Sequence, residues 1–514
     1  MFDRRSLLVA GAAALGGCAN APAHAADPQA DADLRTLVER LAERSRPTRA
    51  FLLRRFDAAR LTPQGRILYA GVIDGAEADA ALARRRWGAN GVPYAVSHRY
   101  GAYRRAAELR AEDSIRVSVH EVNQDTNQLA GDAARGVIPP DVLIDATIPA
   151  LETAAQRVRG AGGEDAAFLA DALTDQAEAL RTLRPRAGPE PGVWRLPDGE
   201  DFYAQTLQFQ LGARTDAREA HARALERCRE MHAEADALLR GEGLTRGDVG
   251  ERLRALAADP RHLYSDDDAG RDRAVADMNA SLERIRALIG AAIPGAEAAP
   301  ARVARLAVEM NGAQGRRAGS RYEVDLGNIR QRPAWTLPSV VHHELVPGHI
   351  LQAQYERQAN APALQVRYAG GYSEGWATYA EQLAAELGAF DGDPRARLGY
   401  LQWMLFRLAR VAADTGIHVM RWSRAQAEAQ MRALQGDSIA FVSIADDVVR
   451  ICAQPGLAAA QGLAAMQLAE LRDATRRSAR GAYNDGVFHL AMLRHGPLAP
   501  AGLAQAARAA FDLP

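Results

Sequence analysis

The feature that most limits what this chain can become is the spacing of its apolar residues. They recur three and four positions apart through LRTLVERLAERS, AALARRRWG and FLADALTDQAEALRTL, and again through HARALERCREMHAEADALLR. That interval places one apolar stripe along an α-helix, and alanine, leucine, arginine and glutamate, all strong helix formers, fill the turns between. Glycine and proline, which end helices, gather in a few short stretches. The pattern predicts a mainly α protein, and 514 residues with 48% hydrophobic content supply a large core. RPRAGPEPGVWRLPDG, Arg184 to Gly199, reads as the connection between an N-terminal helical region, 26–190, and a C-terminal one, 200–514.

The period changes at SRYEVDLGNI, where Tyr322, Val324 and Leu326 alternate with polar neighbours, the signature of a strand. This predicts a small β element just ahead of a histidine cluster. An exposed edge there would pair with an extended peptide through its backbone. Charge is compatible with this: 63 basic against 64 acidic residues leave a net −1, so no field draws nucleic acid or an anionic membrane, and small or peptide-like substrates fit better.

The first 25 residues read as an export signal: Arg4 and Arg5, an apolar run from Leu7 to Gly17, then small residues. Two fates stand. Leu15-Gly16-Gly17-Cys18 resembles a lipobox, which would give a lipid anchor at Cys18, the one membrane contact expected; cleavage after Ala25 would release the protein instead. Either way the destination is the periplasm or the envelope. Cys228 and Cys452 alone remain after processing, which excludes a disulfide framework. His221 and His232 read as solvated residues on a helix face.

Chemistry concentrates in SVVHHELVPGHILQAQY, Ser339 to Tyr355. Zinc hydrolases of the HExxH kind hold the metal with two histidines one turn apart, and the glutamate between them activates the metal-bound water. Here His343 and His349 are six positions apart. On a regular helix that is about 120° around the axis and about 9 Å along it, too far to share an ion. Pro347-Gly348 between them predicts a bulge that redirects His349. His342, two turns from His349, is at best a supporting residue. GGYSEGWATYAEQLAAELG supplies Glu374 as third ligand from a second helix, with Glu381, on the same face, as the reserve or as the partner that orients a histidine. Glu344 is the candidate general base.

These residues resemble the bacterial "domain of unknown function 885" family, grouped with the glutamate-zincin metallopeptidases and similar to thimet-type and carboxypeptidase-type helical peptidases. The resemblance runs from about Phe202 to the C-terminus. HELVPGHILQ is similar to the family's HE-x-x-PGHH-x-Q, YSEGWATYAEQLAAELG to its EGWA-x-Y-x-E-x-L run, RLARVAADTGIHVMRWSRAQA to its R-x-AR-x-x-x-DTG-x-H-x-x-x-W segment, and FHLAMLRHGPL to its closing motif. It implies that His343, His349 and Glu374 bind zinc, that Glu344 is general base, and that the body is a large helical metallopeptidase-like fold around a deep cleft. Two positions depart: Ile350 replaces a second histidine after PGH, and Gln461 stands where a tyrosine is usual. Within the shared motifs, His418, Arg450, His489 and Gln461 are candidates for substrate or transition-state contacts, Gln461 as an amide donor to an oxyanion. Arg410 and Asp414, four apart, read as a helix-stabilising pair.

The expectation is a zinc-dependent hydrolase acting on short peptides. The alternative is a metal-stabilised or inactive envelope lipoprotein that binds a peptide or protein partner.

Overall fold

Helices begin where the sequence supplies a cap. Asp27, Thr62 and Asp393 each accept a backbone N–H in the first turn of a helix that opens on proline, whose missing N–H is no loss there. The computed structural model describes residues 27–88, 91–106, 112–307, 315–437 and 443–513; the predicted leader with Cys18 lies outside the described residues.

Helices α1 (Pro28–Leu41), α2 (Arg46–Arg55) and α3 (Pro63–Ala83) bury Leu34, Leu53 and Val72 together with Leu364 and Tyr368 from much later in the chain. After the short α4 (Ala102–Ala106), α5 (Glu112–Ala134), α6 (Asp141–Ala161) and α7 (Glu164–Leu183) form a core of their own around Leu151, Leu169 and Leu173. The Pro/Gly-rich connection holds two single turns, Arg184–Arg186 and Val193–Arg195. Beyond it come α8 (Gly199–Leu211), α9 (Ala217–Gly241), α10 (Val249–Ala258) and α11 (Asp268–Ile289). One apolar cluster crosses that connection, joining Val137 and Leu143 to Phe202, Met231 and Leu405.

A three-stranded sheet follows: β1 (Arg302–Arg305), β2 (Arg316–Ala318) and β3 (Arg321–Val324), in the order β1-β3-β2. β3 is the predicted strand. It is the central one, parallel to β1 and antiparallel to β2, so its backbone groups are taken on both sides. The exposed edge expected of it belongs to its neighbours instead, because β2 folds back over it through a tight turn.

The remaining helices are α12 (Leu337–Glu344), α13 (His349–Ala359), α14 (Ala363–Arg367), α15 (Tyr372–Glu386), α16 (Pro394–His418), α17 (Arg424–Gln435), α18 (Ile444–Ala453), α19 (Leu457–Ala479), α20 (Asp485–Leu493) and α21 (Pro500–Ala510). α16 is the central rod. Apart from Pro394, Arg395 and Arg397 in its first turn, only Arg407 and Arg410 escape full burial, so these two mark the side that faces a cavity. α9 and α19 pack along it, and α15 lies against α19, where a Cβ on Gly375 would come within 2.5 Å of the Ala464 Cβ. No described helix is long and apolar enough to cross a membrane.

Several polar expectations change here. Asp414 does not pair with Arg410: it is buried, and accepts from Tyr203 Oη at 3.0 Å and from the Gly456 and Ala459 backbone N–H groups at 2.9 Å each, closing the start of α19. Arg410 turns to Asp447 instead. His221 is not solvated; its Nδ1 meets Thr415 Oγ1 at 2.8 Å and its ring meets Trp422 edge-on. His232 Nε2 lies 2.8 Å from the Leu434 carbonyl oxygen. Cys228 and Cys452 are buried free thiols.

Candidate metal centre

The helix carrying His343 stops rather than bulges. α12 ends at Glu344, Leu345 and Gly348 leave helical geometry, and α13 opens on His349. Two short helices meeting at a corner therefore solve the six-residue spacing, because the second starts in a new direction with His349 as its first residue. Trp376 on α15 pins the corner by donating its indole N–H to the Pro347 carbonyl at 2.9 Å. The same helix, entered from Gly370-Gly371, puts Glu374 in its first turn.

His343, His349 and Glu374 bring one ligand atom each to within 4.8 Å of one another. Both histidines use Nε2 for this, each 3.5 Å from a different oxygen of Glu374. Their other nitrogens are engaged behind. His343 Nδ1–H donates to Glu381 Oε1 at 2.8 Å, and His349 Nδ1 lies 3.3 Å from both Gln352 Oε1 and Ser373 Oγ. Glu381, fully buried, is further held by Ser339 Oγ–H and by Arg407 Nη2 at 2.7 Å. Arg407 Nη2 also lies 2.9 Å from His343 Nδ1, but the ionised Glu381 can only accept there, which favours the tautomer with its proton on Nδ1 and Nε2 turned into the site. His349 Nε2 is buried and has no hydrogen-bond partner, an orphaned donor atom aimed at its two neighbours. Two imidazoles and a carboxylate in this setting fit a zinc ion with an open fourth position.

Electrostatics hold the carboxylates ready. Burial opposes charge on Glu374 and Glu381, but the histidines beside Glu374, and Arg407 with His343 beside Glu381, outweigh it and keep both below the usual carboxylate range. Burial and Arg407 work against a proton on His343, yet Glu374 and Glu381 raise its pKa to about 9. A metal ion must displace that proton.

His343, Glu374, Glu381 and Arg407 line a cleft of about 340 Å³. Glu344 stands in its wall, with Oε2 held by Arg317 Nη1 of β2 at 2.6 Å. Tyr322 from β3 lines it too; burial and the nearby Glu344 charge push its phenol up, so it remains an O–H donor. Val340, Trp403 and Phe406 supply an apolar wall.

Of the remaining candidates, Arg450 and Gln461 line the cleft. His418 and His489 do not. His418 Nδ1 accepts from the Val193 N–H at 3.2 Å, and its Nε2–H donates to the Ile451 carbonyl at 3.1 Å. His489 Nδ1–H donates to the Ala292 carbonyl at 2.8 Å, and Nε2 accepts from Tyr379 Oη at 2.7 Å. Burial drops each to about 4, so both are neutral struts with no nitrogen left for a substrate. His342 is also buried, against Phe390, outside the triad. Ile350 is buried in the apolar core, which leaves His349 as the candidate ligand of the PGH segment. Sequence reasoning missed Arg317 and Arg407, since nothing local marks an arginine that meets its glutamate only through the fold.

Residues 19–506 match the family described as bacterial protein of unknown function, DUF885. The chain belongs to that family. The match to DUF885 begins far upstream of Phe202, so the helices α1 to α7 are part of the family's pattern and not an addition to it. No curated protein matches the chain. Among solved structures, it is similar to a candidate lipoprotein from Colwellia psychrerythraea, with a TM-score of 0.73 and 23% identity over 96% of this chain and 92% of that one. It is also similar to a candidate lipoprotein of unknown function from Shewanella oneidensis, with a TM-score of 0.67 and 17% identity over 93% of this chain and 92% of that one. At such identities the likeness establishes the fold.

The buried partner of His343 gives the candidate site a direct test. Glu381→Gln keeps the size of the side chain but removes the charge that steadies the imidazole. The expected result is zinc affinity weakened by about 10- to 100-fold, read by competition against a chromophoric chelator, with an unchanged circular dichroism spectrum.

Proposed function

We propose that this protein is a zinc-dependent hydrolase whose substrates are short peptides, with His343, His349 and Glu374 as ligands. The observation that carries the reading is the convergence of two oriented Nε2 atoms and one carboxylate, one of those nitrogens being a buried orphan, beside an independent glutamate in the same cleft. Bound zinc would polarise a scissile carbonyl and lower the pKa of a coordinated water. Glu344 takes the proton of the attacking water and returns it to the leaving amine. Arg317 holds that carboxylate in place between the two transfers. The Tyr322 phenol and the Gln461 amide are donors in the cleft for an oxygen that gains charge. Val340, Trp403 and Phe406 cover an apolar side chain and keep water off it.

The lipobox-like run at Cys18, together with the description of both structural neighbours as candidate lipoproteins, supports an enzyme anchored to the envelope.

Metal content tests the proposal. Protein purified without chelators is expected to hold about one equivalent of zinc by inductively coupled plasma mass spectrometry, and His349→Ala to hold almost none. Because zinc competes with the proton on His343, the apparent zinc affinity is expected to weaken as the pH falls. Protein that stays free of metal after zinc is supplied would end the reading.

A further inference from the structure

The lining of the cleft is unusually rich in guanidinium groups: Arg99, Arg317, Arg332, Arg407, Arg410 and Arg450. Two of them are committed to the catalytic wall, Arg317 to Glu344 and Arg407 to Glu381. Arg410 and Arg450 share one buried carboxylate, Asp447, whose side chain is 1% exposed. Asp447 Oδ1 accepts from Arg450 Nε at 3.0 Å. Its Oδ2 lies 3.1 Å from Arg410 Nε, yet neither of those atoms makes a hydrogen bond. Arg410 Nη1 is 3.5 Å from Gln461 Oε1, a contact at the limit of hydrogen bonding.

Arg99 joins this group from a distant part of the chain. It is an exposed residue between Ser97 and Tyr100, and no carboxylate among the described residues lies within ion-pairing distance of it. Arg410 and Arg450 share the single charge of Asp447, and Arg99 adds a third guanidinium close enough to feel both Arg450 and Asp447, which leaves two formal positive charges at this part of the wall. Of the other acidic groups of the lining, Glu344 and Glu381 are paired with Arg317 and Arg407, and Glu374, whose charge also reaches Arg410, is turned to the two histidines. Partly buried positive charge that the protein does not neutralise is costly, and it is relieved when an anion arrives. Guanidinium groups suit a carboxylate best, because their paired N–H donors match its two oxygens.

We propose that Arg99, Arg410 and Arg450 form a carboxylate-binding subsite, so that the enzyme selects peptides presenting a free carboxylate to this wall while the scissile bond lies at the metal centre. The proposal rests on the hydrolase reading for what happens next, but not for binding. Two sources of the carboxylate are compatible with the same chemistry: the peptide C-terminus, which makes the enzyme a carboxypeptidase, and an acidic side chain.

Calorimetric titration distinguishes them. The full chain is freed of metal with neutral 1,10-phenanthroline, since polycarboxylate chelators would compete for the arginines. Three probes are compared: Ala-Ala-Phe, its C-terminal amide, and the amide of Ala-Glu-Phe. The acid is expected to bind at least about tenfold more tightly than Ala-Ala-Phe amide, the scale of a charge-assisted contact, with that preference cut to near unity in Arg99→Gln and in Arg450→Gln. Arg99→Gln changes an exposed side chain without an ion pair, so it answers the question even where Arg450→Gln fails to fold. Recovery of binding by Ala-Glu-Phe amide alone would assign the side-chain source. Equal binding of all three probes, a preference that survives both substitutions, or no binding of any probe would overturn the subsite. The two readings fail separately: zinc-dependent turnover without carboxylate preference removes the subsite alone, and preference without turnover removes the hydrolase alone.

Discussion

Glu344→Gln is expected to leave zinc content unchanged and to reduce peptide turnover by about 10²- to 10⁴-fold, the range a positioned general base contributes. The reasoning is geometric. Glu344 is absent from the triad of converging ligand atoms, so the substitution takes nothing from the metal. It lines the cleft next to His343 in sequence, and its carboxylate is held by Arg317, an ion pair that glutamine replaces with a neutral hydrogen bond of similar shape. What disappears is the capacity to hold a proton between attack and departure. A binding scaffold of the alternative kind would lose nothing, because neither its metal nor its cleft has changed. Metal content and steady-state hydrolysis measured on the same preparation decide between them: full zinc with full turnover would remove Glu344 from the mechanism, and loss of zinc would make it a ligand.

How far the sequence reaches can be judged from individual residues. His343, Glu344 and His349 were legible because they lie within one short segment, and the objection raised by their spacing was itself informative. It required a break at Pro347-Gly348, and the structure has one, though as a full stop between two helices instead of a bulge. Glu374 was legible as an acid in the first turn after a pair of glycines. The strand at Tyr322 was legible from its alternation, but its place in the middle of the sheet was not, because that depends on β1 and β2, which carry little pattern. Histidines defeated the reading for a physical reason. A neutral imidazole satisfied by two partners and one poised to react are the same letter, and what separates them lies elsewhere in the chain: Val193 for His418, 225 positions away, and Ala292 for His489, 197 away. Asp414 misled in the same manner, since its nearest opposite charge in sequence, Arg410, is held by Asp447 in space.

The corner between the two histidine helices carries the second large expectation. At Gly348 a Cβ would lie 1.8 Å from the His343 carbonyl oxygen, 2.4 Å from its carbonyl carbon and 2.5 Å from the His342 oxygen. All three are backbone atoms, so no rotamer change relieves the clash, and the chain must move. Movement there separates His349 from His343, because the two closest of the clashing atoms belong to His343 itself. Gly348→Ala is therefore expected to destabilise the protein by about 3 kcal/mol, the upper range for a forced overpacking, and to abolish zinc retention even in the fraction that folds. Gly160→Ala is the control: that glycine sits in α6, exposed, with nothing within 4 Å of the added carbon. Alanine's better helix propensity should make it neutral or stabilising by up to about 1 kcal/mol. Urea unfolding compares the two. If Gly348→Ala matched Gly160→Ala in stability while keeping its metal, the two histidines would not depend on this close approach, and the corner would have to be held by its other contacts, such as Trp376 to the Pro347 carbonyl and the Leu351 N–H to the Leu345 carbonyl.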